Sequence, residues 1–123
     1  MKDPELDILI DELETRSDLT VADFGGVAGG LAFLLPEATA SEHNLAERIS
    51  VTDTAIHIAD QAFPNWAVHI HGRANDKDGH WHCTLRENDR RDNDAAIGSG
   101  RSPVLSQAIL AATIRLAMIL KKD

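Results

Sequence analysis

The sequence has few aromatic residues, one cysteine and no long apolar run. Tyrosine is absent and aromatic side chains make up 4% of the chain, so a core must consist mostly of Leu, Ile, Val and Ala. The single cysteine, Cys83, excludes an internal disulfide framework. No apolar segment approaches the roughly 18 uninterrupted residues that a membrane span needs. The N-terminus has no apolar run of the signal-peptide type, and we expect a cytoplasmic protein that does not bind membranes.

Length and charge narrow the class of protein further. A chain of 123 residues is expected to form a single domain, residues 1–123. Residues 1–60 carry 3 basic and 13 acidic side chains, whereas residues 61–123 have a net charge of +2. Since the net charge of −8 repels a phosphate backbone, direct nucleic-acid binding is disfavoured. The acidic half either serves solubility or occupies the basic cleft of a nucleic-acid enzyme as an inhibitor.

Residues 66–86 predict a β-hairpin, on which the fold prediction depends. Apolar and polar residues alternate in two runs, and residues 74–79 between them have the composition of a turn. The alternation assigns six side chains to an apolar face turned toward helices: Trp66, Val68, Ile70, Trp81, Cys83 and Leu85. Both tryptophans are therefore expected to be core anchors.

The opposite face of the hairpin receives four of the six histidines: His69, His71, His80 and His82. If His71 lies opposite His82, their Cβ atoms are roughly 5 Å apart. Imidazole is a good ligand for zinc, copper and nickel, so these four residues are a candidate zinc or nickel site. The alternative is a sheet face that carries polar residues and needs no cofactor.

Helical periodicity predicts an N-terminal helical segment at residues 3–16 and a C-terminal core helix at residues 103–121. The C-terminal helix is apolar nearly all round, which indicates burial on several sides or a subunit interface. Residues 19–35 fit a helix with a Thr20–Asp23 capping box, but four glycines leave a loop or irregular strand as the alternative.

Two further helices are predicted in the middle of the chain. Ser41 is expected to cap a short helix that ends near Ile49. Ser50 or Thr52 is expected to cap the next helix, which ends before Pro64.

Residues 87–101 are predicted to form a mobile polar loop. Because a two-stranded hairpin alone is only marginally stable, we expect an N-terminal strand or a symmetry mate to extend the sheet. A homodimer would also cover surplus apolar surface of the last helix. The predicted fold is α+β, with a small antiparallel sheet built on the central hairpin and covered by helices.

Three short segments carry a family resemblance: Val51-Thr52-Asp53-Thr54-Ala55-Ile56, Phe63-Pro64-Asn65-Trp66 and Ser102-Pro103-Val104-Leu105-Ser106-Gln107-Ala108-Ile109. On these segments, about residues 50–120 resemble the phage ABA-sandwich family of small domains. The resemblance implies a helix–sheet–helix fold and a phage or prophage origin. It implies no catalytic residues, since the family has none assigned, and the first 49 residues and the histidine-rich strands depart from it.

No catalytic motif is recognisable in the sequence. The leading hypothesis is a non-catalytic accessory or protein-interaction domain of phage or prophage type, with a protein partner or a second copy as its ligand. The first alternative is a divalent metal-binding protein that uses the four-histidine face. The second is an acidic inhibitor of a nucleic-acid enzyme.

Overall fold

The computed structural model describes residues 2–40, 42–72, 81–87 and 97–121. The described helices are α1 (Asp3–Thr15), α2 (Val21–Leu34), α3 (Pro36–Thr39), α4 (Leu45–Arg48), α5 (Thr52–Ala62) and α6 (Leu105–Lys121). The described strands are β1 (Ala67–Gly72), β2 (Trp81–Arg86) and β3 (Ile97–Ser102). They form one antiparallel sheet in the order β1-β2-β3, so the predicted α+β class is confirmed.

The hairpin strands β1 and β2 pair in antiparallel orientation with the faces that the alternation predicts. Ile70 lies opposite Cys83, and His71 lies opposite His82. Cys83 and Leu85 of β2 are fully buried on the helix side of the sheet. The predicted turn and His80 lie outside the described residues.

The third strand is the main correction to the sequence prediction. Residues 97–101, predicted as part of a mobile loop, form β3 together with Ser102, so neither an N-terminal strand nor a symmetry mate supplies the third strand. Gly98 and Gly100 prevent this strand from being predicted from the sequence, because glycine has a low strand propensity. A Cβ atom at Gly98 would lie 2.6 Å from the carbonyl oxygen of Ala112 in α6. The glycines let α6 approach the strand closely, so packing and not propensity specifies β3.

The helices follow the predictions with shifted ends. The α2 capping box is confirmed: the Thr20 N–H donates to Asp23 Oδ2 at 3.0 Å and the Asp23 N–H to Thr20 Oγ1 at 3.3 Å. The backbone hydrogen bond from Thr20 lowers the pKa of the Asp23 carboxyl. The predicted cap of α5 is wrong, since its N-cap is Val51 with no side-chain hydrogen bond. The predicted start of α6 at residue 103 is also wrong: Ser102 still belongs to β3 and α6 begins at Leu105.

Helix α6 is the centre of the core. Its residues from Ser106 to Met118 are buried, apart from the partly exposed Arg115. It packs on β3 and β2 on one side and on α1, α2 and α5 on the other. The helices therefore cover the β2–β3 half of one sheet face. Within the described part of the chain, no helix is long and apolar enough to cross a membrane.

Candidate functional site

The outer face of the sheet, opposite α6, is called here the histidine face. The pairing registers place nine residues on it: Ala67, His69, His71, His82, Thr84, Arg86, Ile97, Ser99 and Arg101. None of these is acidic, although the chain has 20 Asp and Glu residues. The histidine face is therefore a basic, imidazole-rich surface on an acidic protein.

The structure brings two of the four predicted ligands together. The imidazoles of His71 and His82 are stacked, with ring centroids 4.9 Å apart and ring planes 10° from parallel. His69 lies on the same face, two residues further along β1 and opposite Thr84. His69 and His71 are exposed and His82 is half-buried, so solvent reaches the pair. His80, the fourth predicted ligand, lies outside the described residues.

The described residues of one copy offer too few ligands for a closed metal site. Across residues 2–40, 42–72, 81–87 and 97–121, no three His, Cys, Asp or Glu side chains are grouped closely enough to hold a metal ion. A structural zinc ion takes four protein ligands, and the stacked pair supplies two. The four-histidine site within one chain stays a prediction.

The free edge of β3 is covered by an ion pair that the sequence analysis missed. Arg115 of α6 donates to both carboxylate oxygens of Glu14 of α1, at 2.5 and 2.7 Å. The same guanidinium donates to the Ser99 carbonyl at 2.8 Å, and the Arg101 N–H donates to Glu14 at 3.1 Å. These bonds satisfy backbone groups that an edge strand otherwise presents to another chain. This edge is therefore closed to strand pairing at Ser99 and Arg101.

A second contact fixes α1 at this edge. The Gln107 side-chain amide donates to the carbonyl oxygens of Leu13 and Arg16, at 2.8 and 2.6 Å. It thereby satisfies carbonyl groups that the C-terminus of α1 leaves without helical partners. Glu14 lies between these anchored residues, so its carboxylate is held against β3. A shallow depression of about 240 Å³ beside it includes His82 and Arg101 in its lining.

The opposite edge of the sheet, β1, is not covered by a helix as the β3 edge is. Among the described elements β1 makes extensive contacts only with β2. Three apolar side chains on its helix side remain exposed: Val68 at 40%, Ile70 at 37% and Trp81 of β2 at 36%. These three residues are called here the apolar stripe. Val68 and Ile70 are exposed because α6 does not extend over β1. Trp81 lies at the end of β2 opposite Ser102, and the close contacts of α6 with the sheet lie further along, at Gly98 and Gly100.

The prediction that both tryptophans are core anchors is therefore wrong for Trp81. Its ring lies over Gly72, where an added Cβ would come within 2.6 Å of Cε3. Trp66 is partly buried and packs against Phe63 with ring centroids 5.8 Å apart. The alternation assigned Trp81 to the correct face, but that face is uncovered at this position.

A further polar cluster joins α4 to α5. The buried carboxylate of Glu42 lies 3.6 Å from the Arg48 guanidinium and 3.5 Å from Nε2 of His57. Asp53 and Thr54 line the same depression, of about 150 Å³. The cluster ties the segment before α4 to the first turns of α5, and a structural role accounts for its contacts.

Comparison of the chain with protein-family models, with curated protein sequences and with solved structures finds no match in any of the three.

Proposed function

We propose that this chain is a non-catalytic accessory protein-interaction domain of phage or prophage type, and that β1 is its interaction edge. The observation that carries the proposal is the contrast between the two edges of one sheet. Glu14 and Arg115 occupy the β3 edge, whereas β1 makes no extensive contact with a described helix and its apolar stripe stays 36–40% exposed. Unpaired strand edges beside exposed apolar side chains bind further strands.

A second copy of this chain is the partner that fits the β1 edge best. The strand, Ala-Val-His-Ile-His-Gly, has none of the Lys, Glu or Pro residues that usually block edge pairing. A two-fold axis perpendicular to the sheet pairs β1 with its own copy in antiparallel orientation and keeps like faces together. The apolar stripes of the two copies then contact each other on one side of the joined sheet, which removes apolar surface from water.

Charge also favours this edge for self-pairing. The acidic helix α1 lies at the β3 edge, on the far side of the sheet from β1. The three strands contain no Asp or Glu residue. Two acidic copies that meet at β1 therefore bring no strand carboxylates together, whereas contact through α1 opposes like charges and is disfavoured.

The phage or prophage setting is proposed from the resemblance of residues 50–120 to the phage ABA-sandwich family. The α+β class agrees with that resemblance, but the described helices leave the histidine face uncovered, whereas a helix–sheet–helix arrangement covers both faces. Gene neighbourhood tests this part of the proposal separately: neighbouring tail, capsid or replication genes support it, and an exclusively metabolic neighbourhood contradicts it.

Sedimentation equilibrium over a range of protein concentrations tests the interaction edge. Wild-type protein is expected to be a dimer, and Ile70→Lys is expected to be a monomer, since a charge on the stripe opposes its own copy. Circular dichroism shows whether the variant remains folded, which is expected because Ile70 is 37% exposed.

Ile8→Lys is the matched control. Ile8 is 60% exposed on α1, so it receives the same change away from the stripe and should leave the dimer intact. A wild-type monomer at every concentration contradicts the proposal. Dissociation by Ile8→Lys but not by Ile70→Lys would place the interface on α1 and also contradict it.

A further inference from the structure

We propose that pairing of two copies through β1 creates a shared transition-metal site on the histidine face, built from His71 and His82 of one copy and a β1 histidine of the other. The inference rests on the proposed self-pairing. It differs from the four-histidine site expected within one chain, because the partner copy supplies the ligands that the described residues of one copy lack.

The stacked pair of one copy is half of such a site. At a metal–nitrogen distance of 2.0–2.1 Å, two imidazole nitrogens on a tetrahedral zinc ion lie about 3.3 Å apart. The His71 and His82 ring centroids are 4.9 Å apart and their planes are nearly parallel. Because a metal ion lies close to the plane of each imidazole that binds it, the two nearly parallel rings must rotate about their side-chain torsions before one nitrogen of each binds the same ion. The exposure of His71 leaves room for that rotation.

Symmetry brings the remaining ligands. Because the two-fold axis is perpendicular to the sheet, the histidine faces of both copies lie on the same side. An axis through Ile70 places the partner subunit's His69 directly opposite His71, and strands about 4.8 Å apart then give three imidazoles in a row. An axis through His71 places the partner subunit's His71 and the partner subunit's His82 in the same row, which gives four.

The surroundings select the class of metal and its position. A neutral imidazole set without carboxylates suits zinc, nickel or copper and not magnesium or calcium. Arg101 lies directly opposite His82 on β3, and Arg86 lies on the same face further along β2. Since these cations repel a metal ion, the ion is expected on the β1 side of His82. Metal and protons compete for imidazole, so metal binding should weaken as the pH is lowered.

The test is calorimetric titration of tag-free, chelator-stripped protein with zinc chloride and with nickel chloride. The wild-type protein is expected to bind one or two ions per dimer. His71→Ala is expected to weaken binding roughly tenfold or more, as the loss of a ligand does. His57→Ala is the control. His57 contacts Glu42 in a separate cluster, so the His57→Ala protein should bind metal as the wild type does.

Titration of the monomeric Ile70→Lys variant separates this inference from the proposed function. Loss of metal binding in that variant supports a shared site. A wild-type dimer that takes up neither metal overturns the shared site and leaves the interaction edge standing. The shared site is also overturned if the Ile70→Lys monomer, or the His71→Ala variant, binds metal with the same affinity as the wild type. In either case the ligands come from elsewhere in one chain.

Discussion

Gly100→Ala is the sharpest test of the unexpected strand β3. A Cβ atom at Gly100 would lie 2.6 Å from the backbone nitrogen of Ala112 and 2.9 Å from the Cβ of Ala111, both in α6. Ordinary contacts of a Cβ atom begin at about 3.4 Å. Since neither the Ala112 nitrogen nor the Ala111 Cβ can rotate away, α6 and β3 must separate by roughly half an ångström or more.

That separation disturbs the centre of the core, because α6 contacts two strands and three helices. Overpacking of a well-packed core costs about 1–3 kcal/mol, and backbone contacts place this case near the upper end. For a domain of this size, about 2–3 kcal/mol corresponds to a fall in Tm of about 10 °C. Thermal and urea unfolding followed by circular dichroism measure the change.

Gly25→Ala is the matched control. Gly25 lies inside α2, and a Cβ atom there would meet no heavy atom within 4 Å. The same substitution should therefore stabilise the protein by about 0.5–1 kcal/mol, since alanine is the better helix former. The two variants restrict the unfolded chain equally, so their difference reports the folded structure. A Gly100→Ala variant as stable as Gly25→Ala would refute the packing of β3 against α6.

Three further predictions concern single contacts. Glu14→Ala should lower the free energy of unfolding, measured in urea, by about 1–2 kcal/mol. The double variant with Arg115→Ala should be only slightly less stable than Glu14→Ala, because the pair acts as one unit and Arg115 is over a third exposed. Burial raises the pKa of the Cys83 thiol to about 11, so a thiol reagent should react only with unfolded protein. Because the thiol of the unfolded chain ionises at lower pH, the free energy of unfolding should fall as the pH rises from about 9 toward 11. Trp81→Phe should remove the tryptophan fluorescence that acrylamide quenches most readily, whereas Trp66→Phe should leave it; the reverse would place Trp81 in the core.

Local patterns predicted the parts of the fold that short-range chemistry determines. Period-two alternation was sufficient to place His71 and His82 on one face, because the side-chain period of a strand fixes the face of every residue. Their direct pairing depended in addition on the register, which the structure supplies. The Thr20–Asp23 capping box was visible because its hydrogen bonds join residues three apart. Neither feature depends on what the rest of the chain does.

Contacts distant in sequence could not be predicted in the same way. Glu14 and Arg115 are 101 positions apart, and the available signal was a lone charge in an otherwise apolar stretch of α6. Strand β3 depends on glycines that are needed only because α6 packs closely against them, where a Cβ atom would clash. The exposure of Trp81 depends on how far α6 extends across the sheet, which no local pattern encodes.

The open edge and the apolar stripe have one physical cause. A helix with its side chains is about 10 Å wide and strands are about 4.8 Å apart, so α6 covers about two strands. Because α6 lies over β3 and β2, the strand left bare is β1, and its edge and its helix-side face are exposed together. A fourth strand paired with β1 satisfies all the backbone hydrogen-bonding groups of its edge. It covers the helix-side face of β1 only where stripe side chains such as Trp81 and Ile70 contact the added strand. Affinity at this edge should therefore depend strongly on a few stripe side chains, which is why Ile70→Lys is expected to abolish the proposed dimer.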